Sequence, residues 1–259
     1  MLLMTGISFY TTRVVLEKLG VTNFGVYNVI GGVVLSFSFI TSVIGSMSQR
    51  FFSYEIGRKD YSALRNVFNA IFLIYMGAGI VVVILGETIG MWFVSNYLDL
   101  GSTSIFTTHC VMHFLLLTTF FEIIRIPFYA CIIAHEKMSV YAFISIFEAI
   151  IKLTIVFLLS VFPVDKLILF VMLNSIVSLL ILIIYVTMCR INFTCCRFLW
   201  CKDGALYKKL LNFSGWSLWG AVAGVFEGQG FNILINIFNG VADYIFSERG
   251  KQETNSREL

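Results

Sequence analysis

Residues 167–188 read LILFVMLNSIVSLLILIIYVTM, a run of 22 positions with no acidic or basic side chain, no Gly and no Pro. A hydrocarbon core about 30 Å thick is crossed by about 20 helical residues. A helix at the surface of a soluble protein keeps one polar face, and this stretch has none. It reads as a transmembrane helix, and the flanking sequence repeats the pattern.

Six further candidate spans follow from the same criterion. They are Met1 to about Val15, Phe24–Met47, Val67–Gly86, Ile105–Ile124, Val140–Phe162 (ended by Pro163) and Phe213–Phe238. An aromatic interfacial stretch, Thr88–Leu98, follows the third. The whole chain agrees: of 259 residues, 58% are hydrophobic and 13% charged, with mean hydropathy +0.89. Soluble domains run at about 45–50% apolar and about 25% charged. The expected fold is an all-α integral membrane protein with about seven transmembrane helices.

Charge placement orients these spans. Segment 49–66 carries Arg50, Arg58, Lys59 and Arg65; segment 125–139 carries Arg125 and Lys137; segment 189–209 carries Arg190, Arg197, Lys202, Lys208 and Lys209. The alternate segments carry only Arg13, Lys18 and Lys166. Basic residues concentrate on cytoplasmic loops, so this alternation predicts a cytoplasmic N-terminus. The net charge of +3 is too small to argue for a nucleic-acid partner. The N-terminal stretch has neither a positive leading region nor a small-residue cleavage site, so a cleaved signal peptide is not expected. From Ala242 the chain reads ADYIFSERGKQETNSREL, which has the composition of a solvated, disordered tail.

Ionisable side chains at bilayer depth are costly and mark functional candidates. Glu148 and Lys152, at i and i+4, share one face of the fifth span near mid-membrane. A structural ion pair and a substrate or coupling-ion role are both open. Glu122 and Arg125 end the fourth span, where they read either as an interfacial pair that snorkels or as part of a pathway. Arg13 could reach an anionic headgroup near the outer end of the first span. His109 and His113 lie i,i+4 but lack a carboxylate at metalloprotease spacing. The seventh span combines Gly215, Gly220, Gly224, Gly228 and Gly230 with Glu227, Gln229 and Asn232. Polar, Gly-interrupted helices at this depth line cavities, as at transporter binding sites.

Of the six cysteines, Cys189, Cys195, Cys196 and Cys201 form a C-x5-C-C-x4-C stretch that matches no standard zinc spacing. They read as reduced thiols on a cytoplasmic loop, and neither metal nor cofactor is expected. No catalytic motif appears, and no loop is long enough to hold a catalytic domain, so an enzyme is not expected.

Several stretches resemble one family. They are RVVLEKLG at 13–20, NFGVYN at 23–28 with Gly31 and Gly32, QRFFS at 49–53, EIGRKD at 55–60, FEIIRIP at 121–127, HEKM at 135–138 and NFSGW at 212–216. In order and spacing they are similar to polysaccharide flippases, the Wzx-type lipopolysaccharide and O-antigen exporters of the MATE-like (MOP) superfamily. The resemblance implies two six-helix lobes around a cavity of alternating access. It implies transport of an undecaprenyl-diphosphate-linked oligosaccharide across the bacterial inner membrane. The matching pathway candidates are Lys152 with Glu148, and Arg13 and Arg125. Residues 1–212 would be the N-terminal lobe, 213–240 the first helix of an incomplete second lobe, and 241–259 the polar tail. The expectation is therefore a truncated member, whose partners are membrane lipids, the lipid-linked oligosaccharide and, for alternating access, a second copy as a homodimer. The alternatives are a MATE-type cation or drug antiporter and a non-functional membrane remnant.

Overall fold

In the structure, a computed structural model, residues 2–35, 38–92, 104–159, 165–196 and 204–213 are described. The seventh expected span beyond Phe213, with Gln229 and Asn232, lies outside the described residues. The chain divides into two units, Met1–Leu211 and Asn212–Leu259, and the six helices named next all lie in the first.

Every element among the described residues is helical. They are α1 (Leu2–Leu35), α2 (Ser38–Gly57), α3 (Tyr61–Leu85, continued by a π-turn at Gly86–Gly90), α4 (Ile105–Ala134), α5 (Met138–Leu158) and α6 (Lys166–Asn192), with a 3-10 turn at Thr194–Cys196. Four helices are long and apolar enough to cross a membrane: Tyr61–Gly90, Phe106–Ala134, Met138–Leu158 and Lys166–Asn192. The multi-pass class expected from sequence is thus present, with four such helices among the described residues rather than about seven. The run α1 is interrupted at Gly20 (φ 80°, ψ 163°), a conformation open to glycine and strained for other residues. The break falls between the first two expected spans.

A bilayer offers no water to polar side chains, so they must find partners within the protein. Thr118, Thr119, Thr154 and Thr187 donate to the carbonyls four residues back, at 2.7–3.0 Å. Asn174 and Asn192 do the same through their amides, both at 2.9 Å. Large apolar side chains face outward instead. On α5, beyond Met138 at its start, Phe143, Ile146, Phe147, Ile150, Phe157 and Leu158 are exposed, with Phe143 75% exposed. That spacing is one helical stripe, suited to lipid.

Helix α4 is the centre of the bundle: it packs against α6, α3 and α2, while α1 packs on both α5 and α4. Sequence reading ended the fourth span at Ile124, but α4 runs on to Ala134 through Pro127. Proline lacks the N–H that would bond the carbonyl of Ile123, and helices in a bilayer tolerate this when neighbours pack around the gap. Pro127 is buried against such neighbours. The helix stops where Glu136 adopts φ 58°. There Glu136 N–H bonds Ile133 O (2.8 Å) and Lys137 N–H bonds Ile132 O (3.2 Å), the paired closure of a Schellman turn. The basic segments meet at this end of the bundle: Lys137 lies over the Phe193 ring (5.0 Å) and Lys209 over Phe51 (5.7 Å).

Candidate substrate cavity

The extension of α4 changes where Arg125 sits. It lies nine residues before the helix end, and Glu148 lies ten residues after the start of α5. At 1.5 Å per residue both are about 14–15 Å from the same turn, half the thickness of a hydrocarbon core. Two antiparallel helices joined by a tight turn bring these levels together. Arg125 Nη1 donates to Glu148 Oε2 at 2.8 Å, and Lys152 Nζ donates to Glu148 Oε1 at 2.7 Å. One carboxylate therefore holds two cations, one from its own helix and one from the neighbouring helix. The Glu148–Lys152 pair is the one expected at i,i+4. Arg125, read from sequence either as a snorkelling partner of Glu122 or as a pathway residue, is bonded across to Glu148 of α5, since its helix continues past the end expected at Ile124.

These charges line a cavity of about 490 Å³ between α4, α5 and α6. On α5 the lining residues Tyr141, Ser145, Glu148 and Lys152 form the stripe opposite the lipid-facing one. The helix is amphipathic with its polar face turned inward, as a membrane solvent requires. Glu122 and Tyr129 complete the face of α4, and Tyr185 of α6 lines the cavity with Ser145. The side chains of Arg125, Glu148 and Lys152 are 24%, 15% and 36% exposed, so the carboxylate is the most sheltered and each cation retains an open side.

Lys152 also lines a second cavity of about 250 Å³, with Thr11, Thr12, Tyr27, Asn28 and Asn174. It therefore stands on the boundary between the two cavities. The other candidates are placed differently. Arg13 is exposed and lines neither cavity. His113 does not join His109; its Nδ1 lies 2.6 Å from Glu87 Oε1, across α3 and α4. Tyr141, Ser145 and Tyr185 were not singled out from sequence. The continuation of the Glu148 stripe back three residues to Ser145 and four more to Tyr141 is the signal that would have found the first two. Tyr185 joins from a distant helix and left no such signal.

Compared with protein-family models, with curated proteins and with solved structures, the chain matches none.

Proposed function

We propose that this chain is a flippase-type membrane transporter lobe that takes an anionic, lipid-linked oligosaccharide across the bacterial inner membrane, with its basic loops in the cytoplasm. The reading rests on the Arg125–Glu148–Lys152 cluster in the 490 Å³ cavity. A purely structural ion pair needs one cation per carboxylate, whereas here two converge on one. Both can turn from Glu148 to a ligand carrying several anionic oxygens, and a diphosphate offers such a set. In a site sheltered from water that attraction is stronger than in solution. The undecaprenyl-diphosphate class comes from the family resemblance, and the cavity chemistry agrees with it. In this reading the two parts of α1, together with α2, complete a six-span lobe with α3–α6.

The cavity also carries Glu122 beside Glu148, which supports a cation antiporter as the second reading. One experiment separates the two. A bacterium lacking its own oligosaccharide flippase receives this chain, or the chain extended through a complete second lobe, and surface polysaccharide is scored. Restored glycan that is lost in Lys152→Ala supports the flippase. Drug resistance that survives Lys152→Ala but is lost in Glu148→Gln supports the antiporter and sinks the flippase reading.

A further inference from the structure

Away from the cavity, at the basic end of the bundle, three thiols converge. Cys131 lies in the last turn of α4, and Cys195 and Cys196 lie in the 3-10 turn after α6. All three are buried. Their Sγ atoms form a triangle with sides of 3.6 Å (131–195), 3.8 Å (131–196) and 3.9 Å (195–196). Tetrahedral Zn–S bonds of about 2.3 Å imply S···S edges of about 3.8 Å. The triangle is therefore one face of a zinc–thiolate tetrahedron, already assembled. We propose that Cys131, Cys195 and Cys196 bind a thiophilic dication of the Zn²⁺ class, which fastens the end of α4 to the segment following α6.

The surroundings suit that chemistry. Three thiolates this close repel one another and ionise together only around a cation. His135 is adjacent, with Nδ1 3.7 Å from Cys131 Sγ and 2.8 Å from Cys131 O. A ring that donates Nδ1–H to a backbone carbonyl keeps Nε2 free as a ligand atom, the usual arrangement around metal-binding histidines. His135 stands outside the group whose ligand atoms all lie within 4.8 Å of one another, so the thiolates carry the site. The fourth position falls to His135 after a ring movement, or to water. Three thiolates and a dication sum to one negative charge. Lys137, over the Phe193 ring that itself lies 4.1 Å from His135, supplies a cation on that side. The spacing rule missed the site because it sought two close cysteine pairs along the chain. Here one ligand comes from 64 residues upstream.

The test uses the whole chain, purified in detergent under reducing conditions, loaded with Zn²⁺, washed and measured for bound metal. About one zinc per chain is expected, falling to background in Cys131→Ser/Cys195→Ser/Cys196→Ser and unchanged in Cys110→Ser. Loading with Co²⁺ should give a thiolate-to-metal charge-transfer band and the intense visible bands of a tetrahedral site. The Co²⁺ spectrum of the unaltered chain keeps the proposal testable if the triple variant fails to fold. No stoichiometric zinc in the unaltered chain, zinc kept by the triple variant, or a Co²⁺ spectrum without thiolate charge transfer would each overturn it.

Discussion

At the scale of single residues, Glu148 is the pivot, because both of its oxygens are committed, to Arg125 and to Lys152. Removing it leaves two cations in a partly sheltered site. Breaking a fully buried pair costs about 3–5 kcal/mol, and the open side of each cation reduces this, so Glu148→Gln should cost about 1–3 kcal/mol in thermal unfolding in detergent. Removing the whole cluster has a different consequence. Apolar side chains of similar volume often replace a buried ion pair at no cost to stability. The variant Arg125→Met/Glu148→Leu/Lys152→Met should therefore unfold close to the temperature of the unaltered chain and yet fail to restore surface glycan. If it fails to fold, the charges serve the bundle and not a ligand. A double-mutant cycle on Arg125→Gln and Glu148→Gln gives the same decision in smaller steps: strict additivity would mean that the two side chains do not interact.

At the scale of helices, the ends and interruptions carry the information. Asp60 caps α3: its Oδ1 accepts from Ala63 N–H at 3.0 Å and from the Ser62 hydroxyl at 2.7 Å. The bond from Ala63 N–H, then the one from Ser62, holds its carboxyl below the usual carboxylate range. A folded pKa below the unfolded one means that the cap stabilises above pH 4 or so and is lost as pH falls through the lowered value. Amide exchange at Ala63 should accelerate over that acid range, Asp60→Asn should remove the pH dependence while keeping a cap, and Asp60→Ala should fray the first turn at neutral pH. Near the far end of the same helix, Gly86 opens the π-turn against Leu116, where a β-carbon would overlap the leucine side chain. Leu116 is itself buried. Gly86→Ala should thus cost about 1–3 kcal/mol by overpacking, recovered in part by Leu116→Ala if the clash is the cause. How far these features were legible differs with their origin. The four long apolar helices, the Glu148–Lys152 pair and the break near Gly20 follow from local spacing and composition. The depth of Arg125 was not legible because the apolar run alone ends near Ile124, whereas the packed bundle carries the helix on through Pro127 to Ala134. The meeting of Cys131 with Cys195, and of Tyr185 with Ser145, depends on how helices distant in sequence stack, and no local pattern encodes that.

At the scale of the molecule, α2–α3 and α4–α5 turn at the same end of the bundle to which α6 returns, and Lys59, Lys137, Arg190 and Lys209 gather there. Lys59 and Glu136, both at φ 58°, make the two turns without glycine. This gathering is what an alternating chain of spans requires, since each pair of crossings brings the chain back to the starting side. Which side of the membrane holds this end is a matter of charge: basic loops resist translocation, so the proposed orientation puts the end with Lys59, Lys137, Arg190 and Lys209 in the cytoplasm. Alkaline phosphatase, which is active only after export, reads this directly. Fusions after Lys59 and after Glu136 should be inactive, and fusions after Ser104 and after Asp165 active. The opposite pattern would invert the orientation and count against the proposed flippase reading, which needs the basic end in the cytoplasm. A pattern that fails to alternate between Lys59, Ser104, Glu136 and Asp165 would mean that one of α3, α4 and α5 does not cross. The pairing of Arg125 with Glu148 at mid-membrane depth would then lose its basis, because that depth follows only if α4 and α5 both span the bilayer.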